Sequence, residues 1–128
     1  QNFDKLVNKF KDEQGVSYQK LDKTTLPSSV NSFLGEGSIE SVVILELEEC
    51  SPKLLKKFDS AVRGLKVGKG YSTLVKENEE EECNHILTRS EGGKVTELIV
   101  LESEKDEGTL VWIKGKGVSL NSLKALNK

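Results

Sequence analysis

The side chains best suited to acid–base or nucleophilic chemistry near neutral pH are one histidine, His85, and two cysteines, Cys50 and Cys83. His85 sits in the run Cys83-Asn84-His85-Ile86-Leu87, where alternation places Cys83, His85, Leu87 and Arg89 on one face of a strand. The expectation is a half-exposed strand histidine. A hydrolase built around it would need a nucleophile and an orienting carboxylate from elsewhere, and no nucleophile elbow or Cys–His signature is present. Cys50 stands just before a helix, whose positive end lowers a thiol pKa, so a thiol–disulfide redox role through Cys50 is a coherent alternative. The two cysteines form no CxxC pair. Two arrangements stay open for them: a Cys50–Cys83 disulfide, or two separate buried thiols. The disulfide would close a loop of about 33 residues and contribute roughly 3–4 kcal/mol. With one histidine and two cysteines a closed zinc site lacks ligands, and neither a metal nor any other cofactor is expected.

Three further features have bland readings that outweigh their chemical ones. Glu77 and Glu79–Glu82 form an acidic run without the alternating ligand spacing of a calcium loop, which predicts a solvated hairpin turn. Gly64, Gly68 and Gly70, with Lys66 and Lys69, invite a phosphate-loop reading. They follow a helix and feed a strand, the reverse of a Walker loop, and so predict a helix C-cap and connection. Trp112, in the last strand, is expected to anchor the core.

The elements that position these residues follow from periodicity. Phe3, Leu6, Val7 and Phe10 make one apolar stripe on an opening helix that stops at Gly15. Val16–Leu21 alternates loosely, as an edge strand does. Residues 24–37, with Pro27 and a serine cluster, read as a long loop. Ile39–Leu47 is apolar on both alternating faces, which predicts a strand covered on both sides. Ser51 and Pro52 then cap and start a helix carrying Leu54, Leu55, Phe58, Ala61, Val62 and Leu65 on one face. From Gly70 the period changes to two. Tyr71–Lys76, Cys83–Arg89, Val95–Glu102 and Thr109–Lys114, joined by short polar links, predict a four-strand antiparallel meander. Leu120, Leu123 and Leu126 suggest a closing helix capped by Ser119. The expected fold is α+β, a two-layer domain over residues 1–128 with five or six mainly antiparallel strands and two to three helices.

Composition narrows the function classes. Nineteen basic against 21 acidic residues leave a formal charge of −2, too little field to gather nucleic acid. Apolar runs of only four residues, such as Val42–Leu45, exclude a transmembrane segment. The chain has no methionine and opens on Gln1, which leads to the expectation of a processed, mature chain.

The whole series, from NFDKLVNKFKDEQGV through Cys50-Ser51-Pro52 and the meander strands (YSTLVKEN, CNHILTRSEGG, KVTELIVLES, GTLVWIKGKG) to VSLNSLKALNK, resembles a family of small exported proteins of gut Bacteroidetes. That family is catalogued as a domain of unknown function. The resemblance implies a domain that follows a signal peptide, located in the periplasm or cell envelope, and it carries over no site residues because the family has no assigned reaction. An oxidising compartment would permit the Cys50–Cys83 disulfide. The resulting expectation is a non-catalytic, exported binding or interaction module whose partner is an envelope protein or a small ligand. Redox chemistry at Cys50 is the alternative, and a small hydrolase around His85 the weaker one.

Overall fold

The computed structural model describes residues 2–22, 24–25, 38–65, 68 and 70–118. In chain order these form α1 (Asn2–Phe10), β1 (Val16–Asp22), β2 (Ser38–Leu47), α2 (Pro52–Arg63), β3 (Tyr71–Asn78), β4 (Cys83–Glu91), β5 (Lys94–Ser103) and β6 (Gly108–Lys116). All six strands belong to one antiparallel sheet in the order β1-β2-β6-β5-β4-β3. The expected α+β class and C-terminal meander are both present. The expected loop at residues 24–37 and the closing helix fall largely or wholly outside the described residues.

The meander forms because each link suits a short turn. Gly92 and Gly93 both have positive φ, 59° and 80°, between the paired residues Glu91 and Lys94, which a two-residue hairpin of the tightest kind requires. β3–β4 and β5–β6 close through longer acidic turns. Glu79 N–H donates to Glu82 O and Glu104 N–H to Glu107 O, each at 2.8 Å. The meander's last strand, β6, then pairs with β2, so α2 must carry the chain across the sheet to β3 at the far edge.

Both helices cover the same sheet face. Phe3, Leu6, Val7 and Phe10 of α1 and Phe58 and Val62 of α2 pack on Leu45, Leu47, Leu87, Ile99, Leu101, Leu110 and Trp112. α2 starts where the sequence predicts, with the Ser51 hydroxyl accepting from Leu54 N–H at 3.2 Å, a cap contributing about 1 kcal/mol. On the opposite face Ile39, Val42, Leu98, Val100, Ile113 and Val118 form a second buried cluster. β2 is therefore apolar on both faces because both are covered. β1 and β3 are the sheet edges, and a register shift between Thr73 and Val75 leaves Leu74 exposed.

The Cys50–Cys83 pair does not form a disulfide: both are free thiols. Strand order gives the reason. Cys83 opens β4, whereas Cys50 follows β2 with its sulfur beside Gly15, next to β1. β6 and β5 separate β2 from β4, and three interstrand steps span roughly 14 Å. A disulfide needs Cα atoms within about 7 Å.

Candidate functional site

The sheet ends that carry the two acidic turns also carry the β2–α2 link, and together they bound an open cleft of about 540 Å³. Its apolar lining is made by Cys50, Pro52 and Leu55. Its rim is charged: Glu48 comes from the β2–α2 link, Glu80 and Glu81 from the β3–β4 turn, and Glu104 and Asp106 from the β5–β6 turn, with Lys56 and Lys105 among them. That volume lies within the range of about 300–1,000 Å³ usual for ligand sites.

Two α2 side chains, Asp59 and Arg63, hold the rim in place. Arg63 Nε donates to Asp59 Oδ1 and Oδ2 at 3.0 and 2.9 Å, and its Nη2 donates to the carbonyls of Glu79 and Glu80. Asp59 Oδ1 also accepts from the Ser103 hydroxyl at 2.7 Å, at the end of β5. One i,i+4 ion pair thus ties both acidic turns to the helix. Alternation does not reveal this pair. Its signal is the four-residue spacing, which usually marks a surface ion pair.

Crowding of like charge shows in the carboxylates around this end. Burial, then the neighbouring Glu48, raises the Glu46 carboxyl above its ordinary pKa. Glu104 is raised too, first by its hydrogen bond with Glu107, then by slight burial and by the charges of Glu107, Glu82 and Glu102. The acidic run predicted as a solvated turn is one, and it is also one wall of the cleft.

Cys50 lines the cleft half-buried, and burial pushes its thiol pKa up. This runs against the lowered thiol pKa expected from the helix start. A raised pKa leaves little thiolate at neutral pH, which works against nucleophilic or redox use.

Cys83 and His85 lie away from the cleft lining, on the helix-covered face, both buried; His85 is 4% exposed. The half-exposed histidine expected from alternation is corrected by α2, which covers this end of β4. Asn78 Oδ1 receives both groups: the Cys83 thiol donates at 2.9 Å, and His85 Nε2 lies at 3.0 Å. A shared acceptor favours the protonated thiol and a ring carrying its proton on Nε2. Burial raises the Cys83 pKa. Burial, with Lys76 and Arg63 nearby, lowers that of His85 below the ordinary 6.5. The trio has the residue types of a cysteine hydrolase, but its hydrogen bonds hold the nucleophile protonated and burial closes it off.

The His85 shift sets a pH dependence. A histidine whose folded pKa is depressed contributes stability that is present above its unfolded pKa, near 6.5, and lost as pH falls through the lower folded value. Glu46 and Glu104, with raised pKa values, act oppositely: each adds stability as pH falls through its raised value toward the ordinary 4.5. The His85 contribution to the urea midpoint should therefore fall as pH drops below about 6.5, and comparison with a variant isolates it from the opposing carboxylates. A His85→Gln variant should show a flatter profile in that window; an unchanged slope would mean that His85 is not held neutral.

Trp112 is the expected core anchor, 4% exposed. Its unpredicted partner is Glu97, whose Oε1 accepts from Trp112 Nε1 at 2.8 Å while Tyr71 Oη donates to the same carboxylate at 3.0 and 3.1 Å. Arg89 completes the group at 3.5 Å. The Gly64 region ends α2 as expected, with Gly64 N–H donating to Ser60 O. Among the described residues no three or more His, Cys, Asp or Glu side chains are placed to hold a metal ion.

Fold and site together define a small α+β domain with helices on one sheet face and an open, acid-rimmed cleft at one end. The chain belongs to the family described as Domain of unknown function (DUF4252), whose model matches residues 5–126. No curated protein matches the chain.

Proposed function

We propose that this protein is a non-catalytic binding module of the cell envelope, with the cleft beside α2 as its ligand seat. The observation that carries the reading is a cleft of ligand size in which an apolar patch, Cys50, Pro52 and Leu55, meets charged side chains from three separate links. The chemistry of the reactive groups supports it. Cys83 and His85 are buried and share one acceptor, and the Cys50 thiol is pushed toward its protonated form. The envelope location rests on the resemblance to exported domains and is part of the proposal. Among the described residues no helix is long and apolar enough to cross a membrane.

The test is a fragment screen followed by amide NMR. A ligand at 100 times its Kd should stabilise the fold by about 2.7 kcal/mol, raising the melting temperature by several degrees. The accompanying shifts should centre on Glu48, Leu55, Glu81 and Asp106. Fragments that bind only elsewhere, or a screen without any binder, would remove the reading.

A further inference from the structure

We infer that the occupant of the cleft is a basic polypeptide segment that lays an apolar side chain on Cys50, Pro52 and Leu55 and presents lysines or arginines to the acidic turns. This rests on the binding-module reading and adds the partner's chemistry to it.

Charge complementarity selects the sign. Leaving aside Asp59, which Arg63 and Ser103 already engage, five rim carboxylates stand against two cations, Lys56 and Lys105, among the described residues that line the cleft. Glu104, raised first by its hydrogen bond with Glu107 and then in part by the charges of Glu107, Glu82 and Glu102, adds to this negative potential, which a cationic ligand would relieve.

The spacing of those carboxylates selects an extended ligand over a compact ion. They come from three different links around about 540 Å³, and among the described residues no three converge as metal ligands. Separate cations on one chain match such a rim, and a metal ion does not. The apolar part of the lining selects further. A plain polyamine leaves Pro52 and Leu55 facing water, whereas a peptide with an aliphatic side chain between its basic residues covers them. Arg63 and Asp59 supply the preorganisation, because both turns are fixed to α2 before any ligand arrives.

The experiment measures fluorescence anisotropy of a short labelled peptide alternating lysine and leucine. Its comparators are a peptide of equal charge with serine in place of leucine, and spermine as an unlabelled competitor. Binding should weaken as ionic strength rises to about 0.15 M. The serine peptide and spermine should bind at least about tenfold more weakly. Combining Glu80→Gln, Glu81→Gln and Glu104→Gln should weaken the lysine–leucine peptide about tenfold while leaving the melting temperature in place. Combining Asp4→Asn, Asp12→Asn and Glu40→Gln, the same charge change at exposed positions outside the cleft lining, should leave affinity nearly unchanged. Leu55→Gln should weaken the lysine–leucine peptide more than the serine peptide. Equal binding of all three probes, or equal loss in both triple variants, would overturn the inference. Fragments that occupy the cleft while the peptide does not would overturn it and leave the module reading standing. A cleft that nothing occupies would remove both.

Discussion

Phe58→Ala should cost about 3–5 kcal/mol, a large share of the roughly 5–15 kcal/mol that holds such a domain folded. Phe58 is fully buried and joins three elements at one point. Its ring meets Phe10 of α1 edge-on, with centroids 5.3 Å apart and planes at 81°, and it also rests against Gly108 at the start of β6. A Cβ on Gly108 would lie 2.6 Å from the ring, so this glycine is what lets α2 settle so close to the sheet. Gly108→Ala should therefore destabilise by about 1–3 kcal/mol on its own through overpacking. Combined with Phe58→Leu, whose smaller side chain vacates that space, it should cost less than the two single losses added together, because the residues share one contact. Urea unfolding followed by the fluorescence of Trp112 reads all of these variants, since it is the chain's one tryptophan. Strict additivity would mean that the ring does not rest on Gly108. Because α2 also carries Leu55, Asp59 and Arg63, Phe58→Ala should loosen the cleft together with the core.

Local pattern carried much of the architecture. The Ser51-Pro52 start, the stripe ending near Leu65 and the alternation of β4 to β6 each depend on neighbours a few residues apart, so they are readable without knowing the fold. The placement of β2 against β6 depends on pairing between distant segments, and no local period encodes it. The same gap explains why Cys50 and Cys83 do not meet. Their separation along the chain suits a disulfide, but two intervening strands hold them apart. The cleft was illegible for this reason too, since its walls come from three links that only the folded sheet brings together. Glu97 is a different case. Alternation in Val95–Leu101 puts it on the inward face with Ile99 and Leu101, and a carboxylate on an apolar face signals a buried partner. That signal was in the sequence, and the partner that answers it is Trp112.

Glu97→Ala should accordingly be among the costliest polar substitutions in the chain. Glu97 is 9% exposed, and its carboxylate accepts from Trp112 Nε1 on β6 and from Tyr71 Oη on β3, with Arg89 of β4 beside it. It therefore links four strands of the sheet. Phe3 of α1 rests on both aromatic partners, with centroids 5.2 Å from Tyr71 and 5.6 Å from Trp112. Removing the carboxylate leaves the indole N–H without its acceptor in a buried site, and each such orphaned group costs about 1–3 kcal/mol. The loss at Tyr71 should be smaller, because its half-buried hydroxyl can turn to water. Trp112→Phe should cost less than Glu97→Ala, since Tyr71 and Arg89 still satisfy the carboxylate. Joining Trp112→Phe to Glu97→Leu should be milder than the sum of the two, because a donor and its acceptor then leave together and an aliphatic side chain fills the space. Urea unfolding followed by far-ultraviolet circular dichroism serves every variant here, including those without the indole. If Glu97→Ala unfolded at the wild-type midpoint, the carboxylate would be dispensable and Phe3 packing alone would hold the opening helix to the sheet.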